Sequence, residues 1–318
     1  MRLKIAVQMD PIASINPMGD STFALMLEAQ ARGYRVDYFV PGSLALRDNV
    51  VSADVAPITV MDKPKGEHFM LGDFARTDLS SYDVLLMRQD PPFDVGYITA
   101  THILERLKGR TLVVNDPASV RNAPEKVYVL DFERFMPPTL VTRSLDEVKR
   151  FQAQHGAIVV KPLHGNGGKA VFLVGEDGAN LSALVELFGQ IWREPFMVQP
   201  FLPEVAEGDK RIVLVDGKVA GAINRKPGEG EFRSNLAVGG YAESATLTPR
   251  EQEICDAMGP ELKERGLLFV GIDVIGGKWL TEINVTSPTG IVAISAFNNS
   301  DVAGMIWDAI EARLEAAA

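Results

Sequence analysis

The chain has 318 residues, 46% of them apolar and 23% charged, which describes an ordinary globular protein large enough for two or three domains. Its formal charge of −10 argues against general affinity for nucleic acid or anionic membranes, while leaving room for a local cluster of cations around a small anion. With Cys255 as its single cysteine, the chain cannot form an intramolecular disulfide.

From the N-terminus, "LKIAVQM" reads as a buried strand closed by Asp10-Pro11. Asp10 comes too soon for a signal peptide, and no apolar run approaches the length of a membrane span, so the expected compartment is the cytoplasm. "TFALMLEAQARGYRV" carries apolar residues at helical spacing, with Asp20 or Ser21 as its cap and Gly33 as its stop. The strands "RVDYFV", "DVLLMR" and "TLVVN" and the helix "GYITATHILERLKG" follow. This alternation predicts an α/β domain over residues 1–120 with a Rossmann-like parallel sheet. Ligands of such sheets gather at the carboxyl ends of strands, where "MDPIASINPMGD" and "MRQDPPFD" lie.

Beyond Pro117 the pattern becomes α+β. "LVTRSLDEVKRFQAQHGAIVVKPL" reads as strand, helix, strand, "NLSALVELFGQIW" as helix and "FMVQPFLP" as strand. "DKRIVLVDGKVAGAINR" contains Asp216-Gly217, a hairpin signal. Residues 226–240, "KPGEGEFRSNLAVGG", are glycine-rich and without periodicity, and long loops of this kind are usually functional. They are expected to be mobile. Cys255 falls on the apolar side of a helix, a packing position, and His68 and His102 have the character of exposed residues.

Two stretches carry chemistry. In "KPLHGNGGKAVF", Gly165, Gly167 and Gly168 bring bare backbone close to something, and successive N–H groups there form an anion-binding concavity beside Lys161. The spacing is not that of a Walker A loop. In "FVGIDVIGGKWLTEINVTSPTG" two strands joined by Gly276-Gly277 form a hairpin, for which a two-residue turn is expected. In that register Asp273 faces Leu280, and Glu282 lies diagonally, about 7–8 Å away at Cα, on the same face as Asp273 and Asn284. Three oxygen donors on one face favour Mg²⁺. Together these features point to nucleotide triphosphate chemistry, and a kinase or an acyl-activating ligase would need much the same equipment.

"NAPEK", "VVKPLHGNGG", "DKRIVLVDGK", "RSNLAVGG" and "GIDVIGGKWLTEINVTSPTG", in this order, resemble the ATP-grasp ligases. The loops "MDPIASINPMGDST" and "MRQDPPFD" narrow the resemblance to the bacterial glutathione synthetase family, over nearly the whole chain. The resemblance implies an N-terminal substrate-binding domain over 1–120 and an ATP-grasp domain over 121–318, with a lid at about 137–200 and a closing loop at about 226–240. It implies that ATP is held by Lys126, Lys161, the loop His164, Gly165, Asn166, Gly167 and Gly168, the segment from Gln199 to Leu202, Asp209 and Arg211. Arg211 and Arg233 would act on the transferring phosphoryl group. Asp273, Glu282 and Asn284 would hold Mg²⁺, with Mn²⁺ able to substitute. Asp10, Ser14, Asn16, Arg88, Arg225 and Asn235 would contact γ-glutamylcysteine, and Ser287, Pro288 and Thr289 the glycine end. A homotetramer is implied as well. An ATP-grasp ligase for another carboxylate and amine, or a nucleotide-binding protein without turnover, are the competing readings.

Overall fold

The computed structural model describes residues 2–165, 167–234 and 239–317. The first sheet contains β1 (Lys4–Met9), β2 (Arg35–Phe39), β3 (Ala45–Arg47), β4 (Val50–Val60), β5 (Phe69–Leu71), β6 (Ala75–Asp78), β7 (Val84–Arg88) and β8 (Leu112–Val114). Its parallel part runs β2-β1-β7-β8, and β4 continues it antiparallel, carrying β3, β5 and β6. The sheet is therefore mixed, not parallel throughout; its antiparallel strands fall between "RVDYFV" and "DVLLMR", where no element was anticipated. Strand β1 lies inside the sheet because both its faces are apolar, as parallel strands require. Helix α1 (Ser21–Ala31) starts where the Asp20 carboxylate accepts from Phe23 N at 2.7 Å, and α2 (Val95–Leu104) is capped by Asp94 in the same way. His68 is fully buried, contrary to its exposed appearance in sequence. Its ring packs on Phe23 and Phe69, and its Nε2 lies 3.0 Å from Ile12 O, which pins the segment leading to α1.

Helices α3 (Pro117–Arg121) and α4 (Glu125–Tyr128) lead into a second, antiparallel sheet. It comprises β9 (Leu140–Thr142), β10 (Ile158–Pro162), β11 (Phe172–Val174) and β12 (Phe196–Pro200), in the order β11-β10-β12-β9. With α5 (Leu145–His155) and α6 (Leu181–Ile191) it encloses its own small core around Val148, Ile158, Val160, Phe188 and Val198.

The third sheet is built from β13 (Asp209–Val215), β14 (Lys218–Lys226), β15 (Tyr241–Ser244), β16 (Phe269–Ile275) and β17 (Trp279–Asn284), ordered β15-β14-β13-β16-β17. Asp216-Gly217 makes the anticipated two-residue turn, with φ of 48° and 78°, and Val215 pairs with Lys218. The second hairpin differs from expectation. Ile275 pairs with Trp279, so Gly276, Gly277 and Lys278 form a three-residue loop. A β-bulge at Thr281 then compensates, and Asp273 sits directly opposite Glu282 rather than Leu280. The bulge keeps Val274, Leu280, Ile283 and Val285 in the core while preserving the acidic face.

Helices α7 (Pro249–Glu264), α8 (Ile291–Asn298) and α9 (Val302–Ala317) complete the chain. Cys255 on α7 is buried, and desolvation pushes its thiol up to about 12. The first and third sheets are docked by Asn115, which donates to Phe269 O at 2.7 Å and Val285 O at 2.8 Å and accepts from Phe269 N at 2.8 Å. Among the described residues, no helix is long and apolar enough to cross a membrane.

Candidate active site

The second and third sheets face each other across a cleft. At one end Val159, Phe201, Leu202, Val205 and Ile275 form an apolar slot. Gln199 borders it, but its amide donates to Thr139 Oγ1 at 2.9 Å, on the residue before β9. At the other end lie Lys126, Lys161 and the glycine loop. Gly167 and Gly168 have φ of 61° and 75°, and a Cβ on Gly165 would stand 2.7 Å from Pro162 Cγ, so this backbone admits no ordinary side chain. Lys126 Nζ donates to Gly165 O at 2.7 Å and thereby ties α4 to the loop. From the far side Arg233 Nη1 donates to Gly168 O at 2.9 Å, while its Nη2 pairs with Glu231. Phe232, Arg233 and Ser234, from the segment expected to close over the site, thus line the cleft. Asn166 and Asn235 lie outside the described residues.

Behind this cradle, four carboxyls and four cations interlock. Asp273 Oδ1 receives Arg211 Nε at 2.5 Å and Arg225 Nη2 at 2.9 Å, and its Oδ2 receives Arg211 Nη2 at 2.9 Å. Burial pulls the Asp273 carboxyl upward, but the two guanidinium groups outweigh it and hold it far below the usual range. Arg225 Nη2 also meets Asp209 Oδ2 at 2.5 Å, and Ser234 donates to that same oxygen at 3.1 Å. Burial pushes Asp209 up to about 6, Arg225 opposing only in part. Glu282 Oε1 lies 3.3 Å from Lys126 and 3.9 Å from Lys161. For Lys126 burial is more than offset by Glu282 and Glu125, so its ammonium is held above the lysine range; for Lys161 burial wins and the pKa falls. Glu125, which contacts Lys126, is pushed up to about 7 by burial.

Several residues occupy positions that sequence spacing did not reveal. Arg211 does not face the cleft; it stands behind Asp273 and reaches Thr289 O at 3.4 Å. Arg225 is spent on two acids. His164 turns from the cleft to stack on Phe93, 5.8 Å between centroids, beside Glu125 and Thr286. Ser14 Oγ donates to Pro11 O at 2.7 Å inside its own turn, and Asn16 is exposed with its carbonyl accepting from Gly19 N and Asp20 N. Asp10 Oδ2 accepts from Asp90 N at 3.0 Å, joining the two strand-end loops. Arg88 is buried: Nε donates to Thr22 Oγ1 at 3.0 Å, Nη2 to Pro288 O at 2.8 Å, and Nη1 has no partner among the described residues. Ser287 Oγ returns a bond to Arg88 O at 3.4 Å, so the loop from Ser287 to Thr289 is held against the end of β7. Glu125, Ser234 and Thr281 were missed as site residues, although "NAPEK" contains the first.

The donor set fits magnesium. Asp273 and Glu282 are cross-strand partners, Asn284 lies on the same face with its buried Nδ2 unpartnered, and all three supply oxygen. No cluster of three or more His, Cys, Asp or Glu suited to a metal occurs among the described residues, so the amide would have to complete the set.

Two antiparallel sheets gripping a cleft, with a lysine from each side, a glycine loop and an acidic hairpin, define an ATP-grasp ligase. Residues 3–121 match the family described as "Prokaryotic glutathione synthetase, N-terminal domain" and residues 125–299 "Prokaryotic glutathione synthetase, ATP-grasp domain". The chain is 60% identical over 313 residues to the glutathione synthetase of Rhodopseudomonas palustris, covering 98% of this chain and 99% of that one. It is 57% identical over 311 residues to that of Bradyrhizobium diazoefficiens, covering 98% of each. The chain belongs to the prokaryotic glutathione synthetase family, as the motifs implied. Among solved structures, D-cycloserine synthetase DcsG is similar with a TM-score of 0.69 at 17% identity, over 98% of this chain and 99% of that one, a likeness of fold alone.

Proposed function

We propose that this ligase joins γ-glutamylcysteine to glycine at the expense of ATP, giving glutathione, ADP and phosphate. The observation that carries this reading is the 60% identity, over nearly the full length of both chains, to a protein named glutathione synthetase. In this reading residues 1–120 bind the dipeptide, residues 121–318 form the ATP-grasp domain, and 137–200 are its lid.

The adenine enters the apolar slot between Val159 and Ile275, and the phosphates lie along Lys126, Lys161 and the Gly165–Gly168 backbone. Asp273, Glu282 and Asn284 hold Mg²⁺, which when bound neutralises phosphate charge that would repel a carboxylate. An oxygen of the cysteinyl carboxylate attacks the γ-phosphorus, the bond to the β-phosphate oxygen breaks, and ADP leaves. Lys161 and the loop amides stabilise the equatorial oxygens during transfer. The glycine nitrogen, as the free amine, then attacks the acyl carbon, and inorganic phosphate departs with the carboxylate oxygen and takes up the proton that the nitrogen releases. Phe232 to Ser234 exclude water from the acyl phosphate. Arg88, whose Nη1 has no partner among the described residues, and Asp10 orient the donor at the strand ends, and the loop from Ser287 to Thr289 borders the acceptor.

The test is product analysis by mass spectrometry after incubation with ATP, Mg²⁺, γ-glutamylcysteine and mixed amino acids. Glutathione is expected to dominate, with alanine and serine poorer acceptors because one extra methyl in a closed pocket costs only about 1–3 kcal/mol. A different main product overturns the reading.

A further inference from the structure

Arg225 bridges two carboxylates that have different duties. Its Nη2 is 2.5 Å from Asp209 Oδ2 and 2.9 Å from Asp273 Oδ1, and the side chain is almost wholly buried. Asp273 also holds Arg211 through both its oxygens, an arrangement that fills its inner lone pairs. A divalent cation approaching Asp273 Oδ1 meets a guanidinium already there. Among the described residues Arg211 has only one further contact, a 3.4 Å reach to Thr289 O. Arg225 has an alternative: Asp209 retains it, with Nε already 3.4 Å from Asp209 O. The second oxygen of Asp209, Oδ1, is buried without a partner among the described residues and can accept whatever contact Arg225 gives up.

From this geometry we infer that Arg225 is a built-in competitor for the metal at Asp273, and that metal binding transfers it wholly to Asp209. The inference rests on reading Asp273, Glu282 and Asn284 as the metal donors. Its consequence is a site that binds a bare cation weakly and depends on nucleotide phosphates to recruit the metal. Arg225 thus sets the metal affinity of the nucleotide-free protein.

The experiment is a Mn²⁺ titration of the full chain without nucleotide, read by electron paramagnetic resonance of free Mn²⁺. Arg225→Met is expected to tighten Mn²⁺ binding at least about tenfold, because it frees the one lone pair of Asp273 Oδ1 that Arg211 does not take and removes a cation from beside it. Asp209→Asn is expected to weaken it, because Arg225 then commits to Asp273. Lys226→Met, which removes a neighbouring surface charge paired with Glu243 at 3.0 Å, should change it less than about twofold, as a screened charge does. Should the methionine variant fail to fold, Arg225→Gln preserves a donor for Asp209 and makes the same prediction. Unchanged or weaker Mn²⁺ binding in a folded Arg225 variant overturns the inference. Glu282→Gln, titrated with ADP present, tests the donor assignment separately: retained Mn²⁺ affinity there overturns the metal face itself.

Discussion

Replacing Lys161 by methionine should weaken nucleotide binding and stabilise the fold at once. The ammonium is buried in a strand, its nearest carboxylate oxygen is 3.9 Å away on Glu282, and burial lowers its pKa. Such a charge costs stability in the free protein and is useful only when phosphate arrives. Methionine fills similar volume, and Glu282 keeps Lys126 at 3.3 Å, so no carboxylate is orphaned. The stability gain is expected to be about 1 kcal/mol, the low end for replacing a buried ion by an apolar group, which for a chain of 318 residues raises the melting temperature by about 1.5 °C. Against this, losing a charge-assisted hydrogen bond to phosphate costs about 1.5–3 kcal/mol, or roughly ten- to a hundredfold in ATP affinity. A depressed lysine pKa means that the unfolded chain binds more protons above the folded pKa. The stability penalty is therefore full below that pKa and fades as pH rises toward 10.5, the ordinary value. The gap in melting temperature between variant and wild type should close over that window. Calorimetric melts across pH and isothermal titration with ATP measure both arms. A variant that melts lower while binding ATP normally would refute the reasoning, since Lys161 would then be a structural cation.

The glycine loop and its cover are open to equally direct tests. Gly165→Ala places a Cβ against Pro162 Cγ at 2.7 Å, and the loop must shift; ATP affinity should fall at least about tenfold while the melting temperature changes by under about 4 °C, as for a local strain of 1–2 kcal/mol. Normal affinity would show that the loop does not approach the phosphates. Tryptic cleavage after Arg233 should slow when ATP, Mg²⁺ and γ-glutamylcysteine are added together, because Arg233 and Ser234 already reach Gly168 and Asp209. An unchanged cleavage rate would count against closure over the substrates.

Local pattern was sufficient for the strands that begin each half, for the Asp20 cap, for the Asp216-Gly217 turn and for the three glycines of the phosphate loop. Each depends on residues near one another in the chain, so period and turn chemistry declare it. The shared face of Glu282 and Asn284 was legible from alternation along their strand, and Asp273 joins it as expected because the bulge at Thr281 cancels the one-residue slip that the longer loop introduces. Ordered motifs spread across the whole chain were enough to indicate the family. Tertiary structure decided what those side chains touch. The bulge at Thr281 arises because the core must keep Leu280 inside after a three-residue loop, a demand set by packing that no hairpin rule contains. His68 carries no mark of burial in its own segment; the aromatic rings around it come from α1 and β5. Arg211 and Arg225, to which the resemblance assigned phosphate and substrate contacts, are held by carboxylates that the sequence did not single out as their partners, since a buried guanidinium takes the nearest acid in three dimensions. Asp273 is separated from Arg211 by 62 residues, and only the pairing of β13 with β16 brings them within 2.5 Å.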